Sequence, residues 1–298
     1  MYDIITFGSA VVDVFVDTDV EDQKGYVSYP VGSKMLIRDL RFDVGGGGTN
    51  TAVAFSRLGF KTAYLGKLGE DADAERIIDF LKKEKVTFIG NKDKKHQTGY
   101  SVVLDSDASD RTILTFKGAS DHLKFSEINL GKIKTKWLYF SSVLNESYET
   151  QIKLASILHK KGVKIVFNPS EYLIKEKDVS KIVKFCEVLV LNKEEAKLLA
   201  GKNDPLKFIH GLGARKVVIT DKDNVVVAYD GIKKHSITPH KIKVVERTGA
   251  GDAFASGFVA GQMIGLDMDK SLELGLREGE SVLTQKGGKH KLLRMRLK

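Results

Sequence analysis

A run of very small residues followed by an aspartate is the part of the sequence best suited to chemistry. Residues 247–254 read RTGAGDAF, in which Gly249, Ala250 and Gly251 precede Asp252 and an apolar helix pattern follows. Small residues at the start of a helix direct unblocked N–H groups and the positive end of the helix dipole at one point, which suits a phosphate. A carboxylate there can accept a proton from a hydroxyl group that attacks phosphorus. A tight turn capped by the aspartate is the alternative interpretation.

A second glycine-rich segment lies far upstream. GGGGTN at 45–50 leads into the helix pattern TAVAFSRLGF. Consecutive glycines can take positive φ and let the backbone pass close to a ligand. Asn50 would then project from the first helical turn with donor and acceptor atoms, which sugar hydroxyls require. The alternative is a flexible hinge with Asn50 as a helix cap.

One further carboxylate follows the first predicted strand. Asp13 stands in GSAVVD, just beyond the strand DIITFG at 3–8. Ligands of open α/β sheets bind beyond the carboxyl ends of the strands, so Asp13 could accept hydrogen bonds from two substrate hydroxyls. An ordinary surface aspartate at a strand exit is the alternative.

Length and composition limit the possible classes of protein. The chain has 298 residues, of which 42% are hydrophobic, and this is enough for one large α/β domain. Because no apolar run approaches ~20 residues, we expect no membrane span and no membrane partner. The N-terminus lacks a signal-peptide pattern, and the single Cys186, which we interpret as a core residue, predicts a reducing, cytoplasmic location. The His residues are scattered without metal-site spacing.

The charge balance does not indicate a nucleic-acid partner. Lys and Arg number 48 against 39 Asp and Glu, for a formal net charge of +9. Acidic residues are nevertheless mixed in along the chain, and the one basic cluster is KHKLLRMRLK at 289–298. This pattern is typical of a Lys- and Glu-rich surface, whose positive field would also attract anionic nucleotides.

Strands and helices alternate, which predicts a mostly parallel central sheet sandwiched by helices, in one domain over residues 1–298. Residues 14–45 instead alternate apolar and polar positions through VFVDTDV, GYVSYPVGSK and LIRDLRFDVG, which predicts antiparallel ribbon. Residues 98–104 and 111–116 predict a hairpin over the acidic turn DSDASD. We expect the segments 14–45 and 98–118 to form a small β-sheet lid that excludes water from a neighbouring site.

Together these motifs resemble the PfkB, or ribokinase-like, family of carbohydrate kinases. The family's glycine-rich turn with Asn before an Ala-rich helix is similar to 45–59, and its D-T-x-G-A-G-D-x-F signature is similar to 246–254. LNKEEAKLLAG at 191–201 contains an N-x-x-E element like the family's, and NPS at 168–170 is similar to its turn after a strand. The resemblance covers nearly the whole chain in the expected order.

The resemblance implies a set of residue roles. Asp252 would be the catalytic base, and the N–H groups of Gly249, Ala250 and Gly251 would form the anion hole for the transferring phosphoryl group. Asp13, Gly46 and Asn50 would contact the hydroxyl groups of the substrate. The residues that would bind the nucleotide are Asn192, Thr220, Gly249 and Gly251. Asn192 and Glu195 would hold Mg²⁺ through water.

Two of these assignments also have ordinary structural explanations. Asn192 followed by Glu195 fits a helix capping box equally well, and a threonine at a strand end, such as Thr220, is often structural. The second signature also departs from the family, because Glu246 and Arg247 stand where Asp and Thr are usual. Activation by potassium is therefore in doubt, and one hypothesis is that Arg247 replaces the monovalent cation and stabilises the loop.

The implied activity is transfer of the γ-phosphoryl group from ATP, with Mg²⁺, to a hydroxyl of a sugar or sugar-like substrate. The alternatives are a nucleoside kinase on the same scaffold and a non-catalytic sugar- or nucleotide-binding sensor, which the retained Asp252 and glycines disfavour. Dinucleotide-dependent redox chemistry is disfavoured because no G-x-G-x-x-G follows the first strand. The exposed ribbon of the lid suggests a homodimer.

Overall fold

Strands and helices alternate along the chain as the sequence predicts. The computed structural model describes residues 1–18, 20, 26–105, 111–284, 289 and 291–295. In chain order the strands are β1 (Tyr2–Phe7), β2 (Val11–Asp17), β3 (Asp39–Gly45), β4 (Thr62–Leu65), β5 (Lys67–Gly69), β6 (Thr87–Phe88), β7 (Asn91–Asp93), β8 (Gly99–Asp105), β9 (Arg111–Phe116), β10 (Thr135–Ser141), β11 (Lys164–Asn168), β12 (Cys186–Asn192), β13 (Lys216–Thr220), β14 (Val226–Tyr229) and β15 (Lys234–Ile237). The α-helices are α1 (Gly47–Arg57), α2 (Ala72–Lys83), α3 (Asn145–His159), α4 (Glu171–Glu176), α5 (Ser180–Val183), α6 (Lys193–Ala200), α7 (Pro205–Gly211), α8 (Ala250–Met263) and α9 (Met268–Leu283).

The larger sheet has nine strands in the order β15-β14-β13-β12-β11-β10-β1-β4-β6. Its strands are parallel from β13 through to β6, while β14 and β15 extend one edge in antiparallel fashion. Helices cover both faces of this sheet, so the predicted fold class, a mostly parallel sheet between helices with a second small sheet, is confirmed.

Both faces of the larger sheet are buried. On β10, Leu138 and Phe140 belong to the core under α3, α5, α6 and α7, whereas Trp137 and Tyr139 belong to the core under α1, α8 and α9. Successive side chains of a strand point to opposite faces. A strand covered on both faces is therefore apolar without interruption, which is why the strand sequences read as continuous apolar runs.

A four-stranded sheet in the order β3-β2-β8-β9 stands apart from the larger one, and we call it the lid sheet. β2 pairs with β3 and β8 with β9 in antiparallel fashion, as the two predicted ribbons require. The ribbons are joined by parallel pairing of β2 with β8. The turn expected over 106–110 lies outside the described residues. That the lid sheet acts as a lid within a single domain stays a prediction.

One part of the ribbon prediction is wrong. The stretch GYVSYPVGSK was expected to extend the ribbon, but residues 27–37 contain no strand. β2, the strand that would have to accept it, is already paired along both edges by β3 and β8. The alternating stretch also does not pair with the edge strands β3 and β9 in the described residues, and side chains such as Val31 and Leu36 are exposed.

Other local predictions agree with the structure. Asp71 caps α2, since its carboxylate accepts a hydrogen bond from the Ala74 N–H. Cys186 is buried at the start of β12, in agreement with a core role. In the described part of the chain, each helix is too short or too polar to cross a bilayer.

Close packing of α8 against α9 holds the start of α8 in place. A Cβ atom added to Gly257 would lie 2.7 Å from the Leu274 carbonyl oxygen, so the two backbones approach as only glycine permits. Glu278 is fully buried beside this contact, where one carboxylate oxygen accepts from the Leu293 N–H and the other has no hydrogen-bond partner. Burial raises the pKa of Glu278 to about 7.

The pKa of Glu278 makes stability depend on pH. The folded state favours the protonated carboxyl, so its contribution to stability is fully present below about pH 4.5 and is lost as the pH rises through about 7. We expect Glu278→Gln to raise the free energy of unfolding at pH 8 by up to about 3 kcal/mol, at ~1.4 kcal/mol per pKa unit, and to change it little at pH 4. Urea unfolding at the two pH values measures this.

Glu273→Gln is the matched control, because Glu273 lies on the same helix but is exposed. An equal effect of the two substitutions at pH 8, or an effect of Glu278→Gln that does not vary with pH, would contradict the expectation.

Candidate active site

The two glycine-rich segments meet at the first turns of two helices. Asn50, in the first turn of α1, donates a hydrogen bond from its side-chain amide to Oδ2 of Asp252, in the first turn of α8, at 2.8 Å. The two residues are 202 positions apart in the sequence. The contact that the sequence predicts between the two segments is therefore present.

The start of α8, where the sequence predicts an anion hole, follows a left-handed turn. Gly249 has a φ of 74°, in the left-handed region, and α8 begins at Ala250. The Ala250 N–H lies 3.4 Å from the Arg247 carbonyl oxygen, a long turn hydrogen bond. Gly249 and Gly251 line one cavity with Asp252, whereas Ala250 and Gly251 line a second. The helix dipole and the backbone N–H groups at this point favour a bound anion.

The first cavity has a volume of about 310 Å³, and most of the residues that line it have polar side chains. Its walls come from the carboxyl ends of strands of the larger sheet and from the starts of α1, α6 and α8. Among the lining residues are Ser9, Gly47, Lys117, Ser141, Asn168, Asn192, Glu195, Thr220, Gly249, Gly251 and Asp252.

The second cavity, of about 290 Å³, adjoins the first and shares Asn192, Thr220 and Gly251 with it. It lies between the ends of β12 and β13 on one side and α8 and α9 on the other. Apolar side chains contribute much of its wall, namely Val226, Ile242, Phe254, Leu276 and Leu283. An apolar cavity that opens beside an anion site has room for a flat ring joined to phosphates.

Asp252 is partly buried, and its surroundings act on its pKa in opposite directions. Burial is the largest influence and raises the pKa of the carboxyl, while the Asn50 hydrogen bond and the positive charges of Lys289 and Lys117 lower it. A carboxyl with a raised pKa that a neighbouring donor holds in place has the properties of a general base. Gly47 and Asp252 line the same cavity, so the carboxylate faces an open volume.

The three predicted substrate contacts lie close to the first cavity, but none of them lines it. Gly46 has a φ of 95°, and a Cβ atom there would lie 2.4 Å from the Ser9 carbonyl oxygen. Asp13, on β2, packs against Gly45, and burial raises its pKa. The cavity wall is formed by Gly47, the neighbour of Gly46, and not by Asp13 or Asn50.

Asn192 and Glu195 form a helix capping box, and they also lie where they could hold a metal ion. The Glu195 N–H donates to Asn192 Oδ1 and the Asn192 N–H donates to Glu195 Oε2, each at 2.8 Å, which is a complete capping box. Both residues also line the first cavity, and burial raises the pKa of Glu195 to about 7. A buried carboxylate of this kind is stabilised in its ionised form by a nearby cation, so the pair fits a metal held through water.

Thr220 ends β13 and lines both cavities, and its hydroxyl donates to the Leu191 carbonyl oxygen at 3.4 Å.

The two residues that depart from the family signature, Glu246 and Arg247, both form side-chain hydrogen bonds. Arg247 donates both guanidinium N–H groups to the Asp223 carboxylate, at 2.8 and 3.2 Å, while the Glu246 carboxylate accepts from the Thr248 hydroxyl. The Arg247 side chain thus joins two loops at the second cavity.

Two lysines of the site were not predicted as site residues. Lys117 follows β9 and lines the first cavity, with Nζ 3.5 Å from the Ser9 hydroxyl oxygen. Lys289 is buried, and its Nζ donates to Asn50 Oδ1 at 2.7 Å and to the Val44 carbonyl oxygen. In the sequence, Lys117 belongs to the predicted lid and Lys289 to the basic cluster at 289–298. No local pattern distinguishes these two lysines from their neighbours.

The chain is similar to known proteins. The model of the pfkB family of carbohydrate kinases matches residues 1–294. The 5-dehydro-2-deoxygluconokinase of Clostridium perfringens is 28% identical over 300 residues, which cover 92% of this chain and 85% of that protein. The cytidine kinase of Thermococcus kodakarensis is 37% identical over 147 residues, and this match spans 47% of this chain and about half, 53%, of that protein.

The solved structure of Arabidopsis thaliana ribokinase complexed with ribose and ATP matches with a TM-score of 0.85. The match covers 98% of this chain and 96% of that chain at 19% identity. At this identity the likeness demonstrates a shared fold.

The conformation of Gly46 generates a prediction about stability. A side chain at this position would combine a strained φ with a contact to the Ser9 carbonyl, so we expect Gly46→Ala to lower the free energy of unfolding by about 3 kcal/mol. Gly162 has a φ of 80° with nothing within 4 Å of an added Cβ. Gly162→Ala measures the effect of the positive φ alone and should lower the free energy of unfolding by about 1 kcal/mol. Equal losses in denaturant unfolding would show that the Ser9 contact is unimportant.

Proposed function

The chain belongs to the pfkB family of carbohydrate kinases, and we propose that it transfers the γ-phosphoryl group of ATP to a hydroxyl of a sugar or sugar-like substrate. As a member it is a phosphotransferase of the sugar or nucleoside kinase class. The observation that carries the finer proposal is the Asn50–Asp252 hydrogen bond at the rim of a cavity that opens onto the start of α8.

Asp252 accepts the proton of the attacking hydroxyl in this proposal. Support comes from its position in the first cavity and from Asn50, Lys289 and Lys117, whose effects lower its pKa against that of burial. The N–H groups of Gly249, Ala250 and Gly251 receive the transferring phosphoryl group. Negative charge that spreads over its equatorial oxygens is stabilised there by preorganised donors. Of the three, Ala250 contributes most weakly, since its N–H already makes a long turn hydrogen bond.

The nucleotide occupies the second cavity, with its base against the apolar wall and its phosphates directed at the shared residues Asn192, Thr220 and Gly251. Kinases of this family use ATP and Mg²⁺. We assign Mg²⁺ to the neighbourhood of Asn192 and Glu195, where a buried carboxylate faces the cavity. The metal ion, when bound, neutralises negative charge on the donor phosphates.

The acceptor lies between the lid sheet and the start of α1, where Asp13, the Gly46 backbone and Asn50 hold its hydroxyl groups. Asp13 pairs in register with Asp43 on β3 and Ser101 on β8, so one row of the lid sheet presents polar groups to this region. Coverage by the lid sheet would keep water from attacking the donor. Potassium dependence is left open by the two departures at 246 and 247.

A nucleoside acceptor is the second candidate. It is supported by the 37% identity to the cytidine kinase of Thermococcus kodakarensis, although that match spans about half of each chain. The sensor interpretation is disfavoured, since the family is one of kinases and the site retains its carboxylate and glycines. The cytoplasmic location stays a prediction, supported by the free, buried Cys186.

Replacement of Asp252 tests the proposed mechanism. We expect Asp252→Asn to lower kcat by at least ~10²-fold with little change in the acceptor KM, because asparagine keeps the shape but cannot take up the hydroxyl proton. The assay is coupled ADP release with Mg²⁺ over pentoses, hexoses, their phosphates and nucleosides. Turnover of nucleosides alone would favour the second candidate.

Asp121→Asn is the matched control. Asp121 is also a buried aspartate with a pKa raised by burial, but its carboxylate accepts from the Leu144 N–H and it does not line either cavity. An Asp252→Asn enzyme that keeps most of its rate would remove Asp252 from the role of base.

We further propose that two copies of the chain associate through the lid sheet. Leu40, Phe42, Leu114 and Phe116 are each about half exposed, at 48%, 48%, 58% and 56%. The strand register puts Phe42 and Leu114 in one row on the two edge strands, with Val14 and Val102 between them. Leu40 and Phe116 lie on the same face, two residues away along β3 and β9 in opposite directions. Exposed apolar side chains on the edge strands favour a partner, and a twofold dimer uses the same surface twice.

The lid-sheet interface predicts a change in molecular mass in solution. Leu40→Lys combined with Leu114→Lys should convert a dimer to a monomer, because charges would be buried without partners. Light scattering coupled to size exclusion measures the mass. Leu198→Lys is the control, since Leu198 is 42% exposed on α6 away from the lid sheet. A monomeric wild-type chain at micromolar concentration would contradict the dimer.

A further inference from the structure

The ammonium group of Lys289 lies inside the protein, beside the proposed base. The residue is 4% exposed, and its Nζ donates to the Val44 carbonyl oxygen and, at 2.7 Å, to Asn50 Oδ1. Asp13, Asp43 and Asp252 act on it electrostatically and favour its charged form, against the effect of burial. An ammonium ion is buried only where such partners compensate for the lost water.

The chain around Lys289 is fixed to the rest of the structure. The Arg57 guanidinium donates to the Lys289 carbonyl oxygen and also forms two hydrogen bonds, at 2.6 and 2.8 Å, to the Glu84 carboxylate. Leu292 is buried, and the Met295 N–H donates to the Arg57 carbonyl oxygen at 3.0 Å. These contacts fix the position of Lys289 beside Asn50.

Asn50 connects Lys289 to Asp252. Its Oδ1 accepts from the ammonium group, and its Nδ2 donates to the Asp252 carboxylate at 2.8 Å. An ammonium ion can only donate and a carboxylate can only accept. The two charged partners therefore require opposite ends of the amide, and a flipped amide would lose both hydrogen bonds.

We propose that Lys289 is a positioning residue for phosphoryl transfer, which fixes the orientation of the Asn50 amide and, through it, holds the Asp252 carboxylate toward the acceptor hydroxyl. The inference rests on the proposed function, since it requires Asp252 to act as the base. Lys289 acts through Asn50 and is not assigned a contact with substrate.

The charge of Lys289 also acts on the base. Burial raises the pKa of Asp252, and Lys289 is the larger of the two cationic influences that lower it, the other being Lys117. Facing the same region are the buried Tyr139 hydroxyl from β10, Glu195 from α6 and the aspartates of the lid sheet, Asp13 and Asp43. Loss of the lysine charge should therefore raise the pKa of Asp252 and demand a higher pH for activity.

The test is the pH dependence of kcat/KM for Lys289→Met, which removes the charge and the donor at similar size. We expect the ascending limb to move up by roughly one pH unit, so that the loss in rate is about tenfold at low pH and shrinks as the pH rises. Lys291→Met is the control in the same segment, because Lys291 is exposed, and its profile should match the wild type.

Lys289→Arg separates charge from fit. It keeps the positive charge, so its ascending limb should stay near the wild-type position even if misfit lowers kcat at every pH. Thermal unfolding of each variant reports on folding. Should Lys289→Met fail to fold, Lys289→Gln, which keeps a donor without the charge, takes its place with the same expected shift.

Three results would overturn the inference. One is a profile for Lys289→Met that superimposes on the wild type, and another is a loss of rate that is the same at every pH, as a structural role alone would give. The third is a lower acceptor KM at unchanged kcat, which would mean that the ammonium group obstructs the acceptor site. Asp252→Asn distinguishes the two failures: if it keeps most of its rate, the assignment of Asp252 as the base in the proposed function fails, whereas if it is inactive and the profile of Lys289→Met is unshifted, only the present inference fails.

Discussion

The active site depends on the first turns of α1 and α8 meeting face to face. The hydrogen bond from Asn50 to Asp252 is the contact between them. Two helix starts can approach this closely only if the turns that precede them lack side chains, and Gly46 and Gly249 both take positive φ there. Behind each turn the helix is fixed by a second close contact. Gly48 packs on the end of β1, and α8 packs on α9 through Gly257.

Electrostatics sets the second constraint, because this meeting point buries acidic groups. Burial raises the pKa of both Asp13 and Asp252, which favours the neutral carboxyl, and nearby lysines act in the opposite direction. The compensation comes from distant parts of the chain: Lys117 follows the lid sheet, and Lys289 comes from the segment after α9. The residue after the lid sheet and the segment after α9 thus each contribute a positive charge to the site.

Features that depend on local sequence could be predicted, and those that depend on distant pairing could not. The RTGAGDAF turn, the cap of α2 and the buried strands each follow from neighbouring residues, and the parallel sheet follows from their alternation. The parallel pairing of β2 with β8 and the Lys289–Asn50 hydrogen bond join residues far apart, and no spacing rule encodes them. The same limit applies to Arg247: its sequence position suggested a substitute for a cation, whereas its guanidinium is bound by Asp223, a residue outside the signature.

In the proposed mechanism, the helix that binds the phosphoryl group also carries the base, and this explains why the base needs more than one neighbour. The dipole and N–H groups at the start of α8 favour negative charge, including that of Asp252. Once an anionic phosphoryl group occupies the same helix start, the dipole and N–H groups stabilise both anions. The negative charge of the phosphoryl group then also disfavours the ionised Asp252 carboxylate. A donor that belongs to another helix is not shared in this way. Asn50 on α1, held by a lysine from a third element, can keep the carboxylate ionised and oriented at the moment when the phosphoryl group arrives.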